Sequence, residues 1–210
     1  MNTQKNSIAT VFVIDDDEAV RDSLKWLLEA NGYRIETFDS AERFLLHFDS
    51  KRIGILILDV RMPGMSGLEL QERLTEIGNG LYFYLPIIFI TGHGDVTMAV
   101  NTMKKGAVDF MEKPFNEIEL CSTVKRLIEQ AQSAAAHHHK KRSAQEKLQR
   151  LTNRERQVLD CIVGGRLNKQ IADDLNISIK TVEAHRANVM DKLGVSNVAD
   201  LLKIALAKNQ

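Results

Sequence analysis

Five polar side chains come directly after short apolar segments, at the points where predicted strands would end. They are Asp15, Asp16, Asp59, Thr91 and Lys113. Parallel strands present their carboxyl ends at one edge of a sheet, and ligands of open α/β sheets bind in the crevice beyond that edge. We therefore expect these side chains to form a site. Taken alone, Asp59 could equally cap the turn between its strand and the next helix.

Three carboxylates that lie close together repel one another at neutral pH and favour a cation between them. Because Mg²⁺ takes oxygen ligands and needs few carboxylates, we expect Mg²⁺ here, with Mn²⁺ able to substitute. Asp59 could then attack a phosphodonor and form an aspartyl phosphate. The Lys113 ammonium would neutralise charge on the phosphoryl group, and the Thr91 hydroxyl would donate to it. The plainer alternatives are a surface lysine before a proline and a helix-capping threonine.

Predicted strands and helices alternate along the first 130 residues, and they must position these side chains. Apolar segments predict strands at residues 8–14, 33–38, 55–58, 86–90 and 108–111. The unbroken apolar run 55–58 indicates a strand buried on both faces, as in a parallel sheet. Helical patterns follow each strand, with a short one at residues 95–103 and a last one that starts at Phe115 and can extend past Gln130. This alternation predicts an α/β fold, a five-stranded, doubly wound parallel sheet of flavodoxin-like topology.

Charge divides the chain into two unlike parts. Residues 1–125 carry 13 Lys and Arg against 19 Asp and Glu, whereas residues 126–210 carry 15 against 9. This asymmetry suggests two domains with different partners, of which the basic one is the candidate for nucleic acid. No apolar segment is long enough to span a bilayer and no signal-peptide pattern is present, so we expect a cytoplasmic protein without a membrane partner. Cys121 and Cys161 are interpreted as free thiols.

Residues 131–149 have the composition of a linker that is partly helical. They are rich in alanine, glutamine and lysine, which favour helix, and they contain three consecutive histidines followed by a basic triplet. Adjacent residues of a helix do not share a face, so the histidines are interpreted as solvated side chains rather than metal ligands. The basic triplet could contact DNA phosphates.

Four helical patterns fill the last part of the chain and predict an all-α domain. Thr152 and Glu155 have the spacing of a capping box at the start of the first pattern. A short pattern at residues 168–175 is followed by a turn and by a longer basic pattern, which begins after Ser178 and ends at Gly194. A short helix, a turn and a longer basic helix predict a helix-turn-helix.

Polar and basic side chains cover the outer face of the longer helix. They are Lys180, Thr181, Glu183, His185, Arg186, Asn188 and Lys192. Arginine and lysine suit phosphates and guanine edges, and threonine and asparagine can contact either. The alternative is a solvated face on a protein-binding helical bundle.

The first part of the chain resembles the receiver domain of bacterial two-component response regulators. The resemblance lies in Asp15-Asp16, in Asp59 with the following Met62-Pro63-Gly64-Met65-Ser66-Gly67, in Thr91-Gly92 and in Lys113-Pro114-Phe115. It implies that Asp59 is the phosphoacceptor and that Asp15, Asp16, Asp59 and the backbone carbonyl of Arg61 are the Mg²⁺ ligands. It also implies that Thr91 and Lys113 bind the phosphoryl group, and that Thr91 and Phe110 form a switch pair.

The last part resembles the LuxR/NarL-type DNA-binding domain. The resemblance lies in Leu151-Thr152-Asn153-Arg154-Glu155, in Asn168-Lys169-Gln170-Ile171-Ala172 and in Lys180-Thr181-Val182-Glu183-Ala184-His185. It implies that residues 179–192 enter the major groove and that the last helix serves dimerisation. The implied DNA-binding residues are Lys180, Thr181, Val182, Glu183, Ala184, His185, Arg186, Ala187 and Asn188. Because the base-facing positions are small or acidic, we expect specificity to depend on DNA shape and half-site spacing.

The whole chain resembles response regulators of the FixJ subgroup. This implies a receiver domain at residues 1–130, a linker at 131–149 and a helix-turn-helix domain at 150–210. We expect a transcription factor that a partner histidine kinase phosphorylates, that then forms a homodimer on promoter DNA and acts on RNA polymerase. The expected target is a catabolic operon, with styrene catabolism as one candidate, and the expected chemistry is limited to phosphoryl acceptance and slow autodephosphorylation.

Two other classes of protein remain open at this stage. One is an enzyme that hydrolyses phosphate through a phosphoaspartate, against which the DNA-binding-like second half argues. The other is a DNA-binding or scaffold protein that works without phosphorylation and retains a vestigial acidic pocket. Labelling of Asp59 by a phosphodonor would separate the second class from the response regulators.

Overall fold

The computed structural model describes residues 9–78, 85–92 and 107–206. The chain forms two compact units, Met1–Ala136 and His137–Gln210. The predicted helix at residues 95–103 lies outside the described residues. Within the described residues no helix is long and apolar enough to cross a membrane.

The first unit is built on a five-stranded sheet in which every pair of neighbouring strands is parallel. Its strands are β1 (Thr10–Ile14), β2 (Arg34–Phe38), β3 (Gly54–Asp59), β4 (Ile87–Thr91) and β5 (Asp109–Glu112). Their order is β2-β1-β3-β4-β5, so β1 and β3 are central neighbours and both end at the same edge. The predicted parallel α/β sheet is confirmed, and β1 begins two residues later than the sequence pattern indicated.

The first unit contains the helices α1 (Glu18–Ala30), α2 (Ala41–His47) and α3 (Gly67–Gly78), and α4 (Glu117–Gln149) begins in the first unit and ends among the residues of the second. Side chains satisfy N-terminal backbone N–H groups, as Asp17 does for α1 and Ser40 for α2. Such caps replace hydrogen bonds that the first turn of a helix cannot make internally. Helix α4 begins at Glu117 rather than at Phe115 and includes all of residues 131–149, which the composition predicted to be a partly helical linker.

Side chains of the central strands pack into two apolar layers, one on each face of the sheet. On β3, Ile55 and Ile57 join one layer whereas Leu56 and Leu58 join the other, and all four are fully buried. Successive side chains of a strand point to opposite faces, so a strand covered on both sides must be apolar at every position. This burial explains the unbroken apolar run before Asp59.

The second unit contains four further helices around a small core. They are α5 (Asn153–Val163), α6 (Asn168–Leu175), α7 (Ile179–Leu193) and α8 (Val198–Leu206). Thr152 and Glu155 form the predicted capping box, Ser178 caps α7, and Gly194 ends α7 with φ of 65°. A left-handed residue at this place is usually glycine because a Cβ would be strained there. The predicted helical domain with a helix-turn-helix is therefore confirmed.

Gly67 brings the start of α3 against the end of β3. A Cβ at this position would collide with the backbone oxygen of Asp59 and would lie 3.0 Å from Cγ of Leu58. The backbone N–H of Gly67 donates to the oxygen of Val60 at 3.0 Å. The absence of a side chain is thus what allows α3 to begin beside Asp59.

We predict that Gly67→Ala lowers the free energy of unfolding of the first unit by about 1–3 kcal/mol, because the added methyl group must displace backbone. Gly92→Ala is the matched control, since a Cβ there meets no atom of the described residues within 4 Å, and it should change stability by less than about 0.5 kcal/mol. Urea unfolding of both variants measures the difference. Equal effects of the two substitutions would contradict the role assigned to Gly67.

Candidate functional site

The ammonium of Lys113 lies between two aspartates at the carboxyl edge of the sheet. Its Nζ donates to Oδ2 of Asp15 at 2.6 Å and to Oδ1 of Asp59 at 2.8 Å. Asp15 follows β1, Asp59 ends β3 and Lys113 follows β5. Asp15 is fully buried and Asp59 is 5% exposed. The structure therefore brings together three of the five side chains that the sequence placed at this edge.

The other carboxylate oxygens of the two aspartates accept hydrogen bonds from the backbone. Oδ1 of Asp15 accepts the N–H of Asp17 at 3.0 Å, and Oδ2 of Asp59 accepts the N–H of Arg61 at 2.7 Å. Each bond also fixes the loop that follows its strand. Two buried carboxylates against one ammonium leave one negative charge without a paired cation in this group of three.

Burial and pairing act in opposite directions on these charges. Burial raises the pKa of Asp15 above its ordinary value, and the hydrogen bond from Lys113 opposes this rise without cancelling it. Burial alone would lower the pKa of Lys113, but its bonds to Asp15 and Asp59 raise the pKa overall. Burial therefore has the larger effect on the carboxyl group and pairing has the larger effect on the ammonium, which remains charged at neutral pH.

The donor chemistry of this pocket fits a hard divalent cation. Asp15, Asp59 and the exposed Asp16 supply oxygens only, as Mg²⁺ prefers, and the unpaired negative charge calls for a further cation. Among the described residues, however, no group of three or more metal-ligating side chains is gathered as a metal site. The ammonium of Lys113 instead bonds the two buried carboxylates directly, and Asp16 lies outside that contact.

Thr91 lies on β4, which pairs with β3, and Phe110 lies on β5, the edge strand beyond β4. Thr91 is buried at the end of β4, and its backbone oxygen accepts the N–H of Lys113 at 2.8 Å. Phe110 is half-buried on β5 and packs against one apolar layer of the sheet. Both residues thus lie at or close to the edge that carries Asp59.

The loop after β3 carries Arg61, whose carbonyl the resemblance implied as a metal ligand. The side chain of Glu42, at the start of α2, accepts the N–H of Met65 at 2.9 Å in this loop. Sequence reasoning assigned no function to Glu42. Nothing in its local sequence indicates this bond, because the two residues are 23 positions apart.

The outer face of α7 presents most of the residues that were predicted to contact DNA. Lys180, Thr181, Glu183, Ala184, Ala187 and Asn188 are exposed, and His185 and Arg186 are half-buried. Val182 is the exception, because its side chain is fully buried in the core of the second unit. A buried side chain cannot contact DNA, so the inclusion of Val182 among the DNA-binding residues was wrong.

An ion pair that the sequence did not reveal fixes α7 against α5. Nζ of Lys192 donates to both carboxylate oxygens of Glu155, at 2.8 and 2.7 Å, and Glu155 is 4% exposed. The bond from Lys192, followed by that from the backbone of Thr152, lowers the pKa of Glu155. Lys192 was assigned to the exposed face, but its partner lies 37 residues away and no local pattern indicates the pair.

Comparison with known families assigns a type to each unit. Residues 11–125 match the response regulator receiver domain, and residues 149–205 match bacterial regulatory proteins of the luxR family. The fold and the two sites therefore define a response regulator with a DNA-binding output domain.

Individual relatives match almost the whole chain. The transcriptional regulatory protein FixJ of Rhizobium meliloti (strain 1021) is 46% identical over 198 residues, which cover 94% of this chain and 95% of that protein. The response regulator protein TodT of Pseudomonas putida is 42% identical, over 93% of this chain and 85% of that protein. A solved structure of the response regulator StyR superimposes with a TM-score of 0.85 at 44% identity, over 94% and 98% of the two chains. The chain belongs to the FixJ/NarL-type response regulators and is a transcription factor.

We predict that Asp15→Asn stabilises the first unit at pH 7 by about 1 kcal/mol or more, because it removes a buried charge that is imperfectly compensated. A carboxyl group whose pKa is higher in the folded state stabilises the fold only while it is protonated. This contribution is complete below the pKa of the unfolded state, 3.8, and is lost as the pH rises through the pKa of the folded state. The gain from the substitution should therefore shrink as the pH falls towards 3.8.

Urea unfolding over a series of pH values measures this dependence. Asp22→Asn, at an exposed position of α1, is the matched control and should show no such trend. A loss of stability at pH 7, or a gain that does not vary with pH, would contradict the prediction.

Proposed function

We propose that Asp59 accepts a phosphoryl group from a partner histidine kinase and that this modification controls promoter binding by the second unit. The observation that supports the proposal is the placement of the Lys113 ammonium against both Asp15 and Asp59. Phosphoryl transfer requires mainly positioning and neutralisation of charge. A half-buried ammonium beside the carboxylate nucleophile supplies both.

In the proposed step, a carboxylate oxygen of Asp59 attacks the phosphorus of a phosphohistidine. The new bond is O–P, the P–N bond of the donor breaks, and the leaving imidazole takes up a proton from solvent. Lys113 stays protonated, because its pKa is raised, and neutralises charge on the transferred group. Hydrolysis of the acyl phosphate by water would return Asp59 slowly to its free state.

We propose that Asp15, Asp16, Asp59 and the backbone carbonyl of Arg61 hold Mg²⁺, or Mn²⁺ in its place. When bound, such an ion neutralises charge on the phosphoryl oxygens. The protein's own part is to present oxygen donors at the end of β1 and in the loop after β3. The bonds of Asp17 to Asp15, and of Arg61 to Asp59, hold those loops in place.

The readout of phosphorylation is proposed to pass through Thr91 and Phe110. A phosphoryl group on Asp59 would be a new acceptor for the Thr91 hydroxyl, and movement of Thr91 would open space for the aromatic ring of Phe110. A local change of charge then biases an element with two arrangements. The surface formed by β5 and the start of α4 would change with it.

The remaining proposals concern partners and organisation. We propose residues 1–130 as the receiver domain, 131–149 as the linker and 150–210 as the DNA-binding domain. The phosphorylated protein would act in the cytoplasm as a homodimer on two half-sites, which suits a helix-turn-helix protein, and would contact RNA polymerase. A catabolic operon is proposed as the target.

At the DNA, the outer face of α7 would enter the major groove. We propose that Lys180, Thr181, His185, Arg186 and Asn188 contact mainly the phosphate backbone. Glu183, Ala184 and Ala187 would face the bases. Phosphate contacts supply affinity that is independent of sequence and falls with salt.

We predict that phosphoramidate with Mg²⁺ adds one phosphoryl group to the wild-type chain and none to Asp59→Asn, because the amide cannot act as the nucleophile. Intact-mass spectrometry measures the product, with EDTA in place of Mg²⁺ as a second condition that should abolish labelling. Asp22→Asn, at an exposed site, should be labelled like the wild type. Absence of labelling in the wild type would overturn the proposal.

We predict that Lys180→Met reduces the slope of log K against log salt concentration by about 1, because one phosphate contact is lost. A short DNA duplex of mixed sequence, titrated by fluorescence anisotropy at several NaCl concentrations, measures the slope. Lys203→Met is the control, since the Lys203 ammonium bonds Asp200 on α8, and its slope should equal that of the wild type. An unchanged slope for Lys180→Met would contradict the proposed contact.

A further inference from the structure

Arg21 holds the loop that carries the two acidic residues after β1. Its Nη1 donates to the backbone oxygen of Asp15 at 2.8 Å and to the backbone oxygen of Asp16 at 2.9 Å. One terminal nitrogen of the guanidinium thus contacts two consecutive carbonyls. Arg21 itself is fixed on α1, where its backbone N–H donates to the oxygen of Asp17 at 3.1 Å.

The two aspartates of this loop are held in different ways. Asp15 is buried, and its carboxylate is bonded by Lys113 and by the N–H of Asp17. Asp16 is exposed, so its side chain direction depends on the backbone from which it leaves. The contact with Arg21 fixes the peptide that joins Asp15 and Asp16, and with it the direction in which the Cα–Cβ bond of Asp16 leaves the backbone.

We propose that Arg21 is a positioning residue of the pocket, which sets the affinity for the divalent cation by orienting Asp16. The inference rests on the proposed function, because it assumes that Asp16 is a metal ligand. Residues that hydrogen-bond to metal ligands without binding the metal themselves typically change metal affinity by 10–100-fold when they are replaced. Arg21 acts on backbone carbonyls rather than on a carboxylate, so its effect is exerted through geometry.

A positioning role of Arg21 and a purely electrostatic one predict opposite changes in the affinity for Mg²⁺. Arg21 is a cation close to the pocket, so its removal, by charge alone, would strengthen the binding of Mg²⁺. A positioning role predicts the opposite result, because a loosened loop must be ordered again when the ion binds. Lys25, an exposed residue of α1, provides the charge control, since Lys25→Met removes a cation from the same helix without affecting the loop.

The test is a titration of the full-length protein with Mg²⁺ alone, in which isothermal titration calorimetry measures the dissociation constant. Arg21→Met should raise the dissociation constant of Mg²⁺ by about 10-fold, whereas Lys25→Met should leave it unchanged or lower it. Arg21→Lys, which can still donate to a carbonyl, should fall between Arg21→Met and the wild type. Urea unfolding of the variants establishes that they are folded under the titration conditions.

A double-mutant cycle tests whether Arg21 acts through Asp16. If it does, Arg21→Met should weaken Mg²⁺ binding much less in the Asp16→Asn background than in the wild type, because the side chain that it orients is no longer a carboxylate. Equal, additive effects in the two backgrounds would overturn the inference. Unchanged or tighter binding by Arg21→Met would also overturn it and would leave the proposed function intact. Absence of Mg²⁺ binding by the wild type would overturn both.

Discussion

The bond between the Lys113 ammonium and two buried carboxylates is the constraint around which the acidic pocket of the first unit is arranged. Removing a charged group from water costs several kcal/mol, and the cost is offset only where geometry and additional hydrogen bonds are good. Here Asp15 follows β1 and Asp59 ends the neighbouring strand β3, and the backbone N–H of Lys113 is bonded to the end of β4. The sheet order brings together residues 98 and 54 positions apart in the chain. The same burial that makes these charges costly also makes them responsive to one further charge, such as the phosphoryl group proposed for Asp59.

The second unit shows the same principle in a smaller core. Glu155 caps the start of α5 and also binds Lys192 near the end of α7. Lys147, on α4, donates to the backbone oxygen of Leu193 at 2.9 Å, where the negative end of the α7 dipole favours a cation. These contacts hold the C-terminal end of α7 to its neighbours, and the residues proposed to contact DNA lie towards its other end. The proposed contacts require such anchoring, because a displaced helix axis would move all of these side chains together.

Close packing near Asp59 is as important as the charges. Gly67 allows α3 to begin against the backbone of Asp59, and Glu42 and Arg21 hold the loops on either side of the pocket. Within the described part of the chain, the Asp59 carboxylate accepts hydrogen bonds from Lys113 and from the N–H of Arg61, and from none of these three residues. They act on backbone atoms, and hence on the direction in which the pocket side chains leave the chain.

Much of this structure could be predicted because it depends on residues that are close together in the sequence. The apolar run of β3, the capping box of Thr152 and Glu155, and the glycine that ends α7 each follow from residues within a few positions of one another. The order of strands and helices, the helix-turn-helix and the convergence of Asp15, Asp59 and Lys113 could therefore be predicted. Tertiary structure alone decided that Lys192 pairs with Glu155 and that Glu42 bonds the loop after β3. These outcomes depend on which helices pack together and on the exact turn of each axis, and neither is fixed by short-range periodicity.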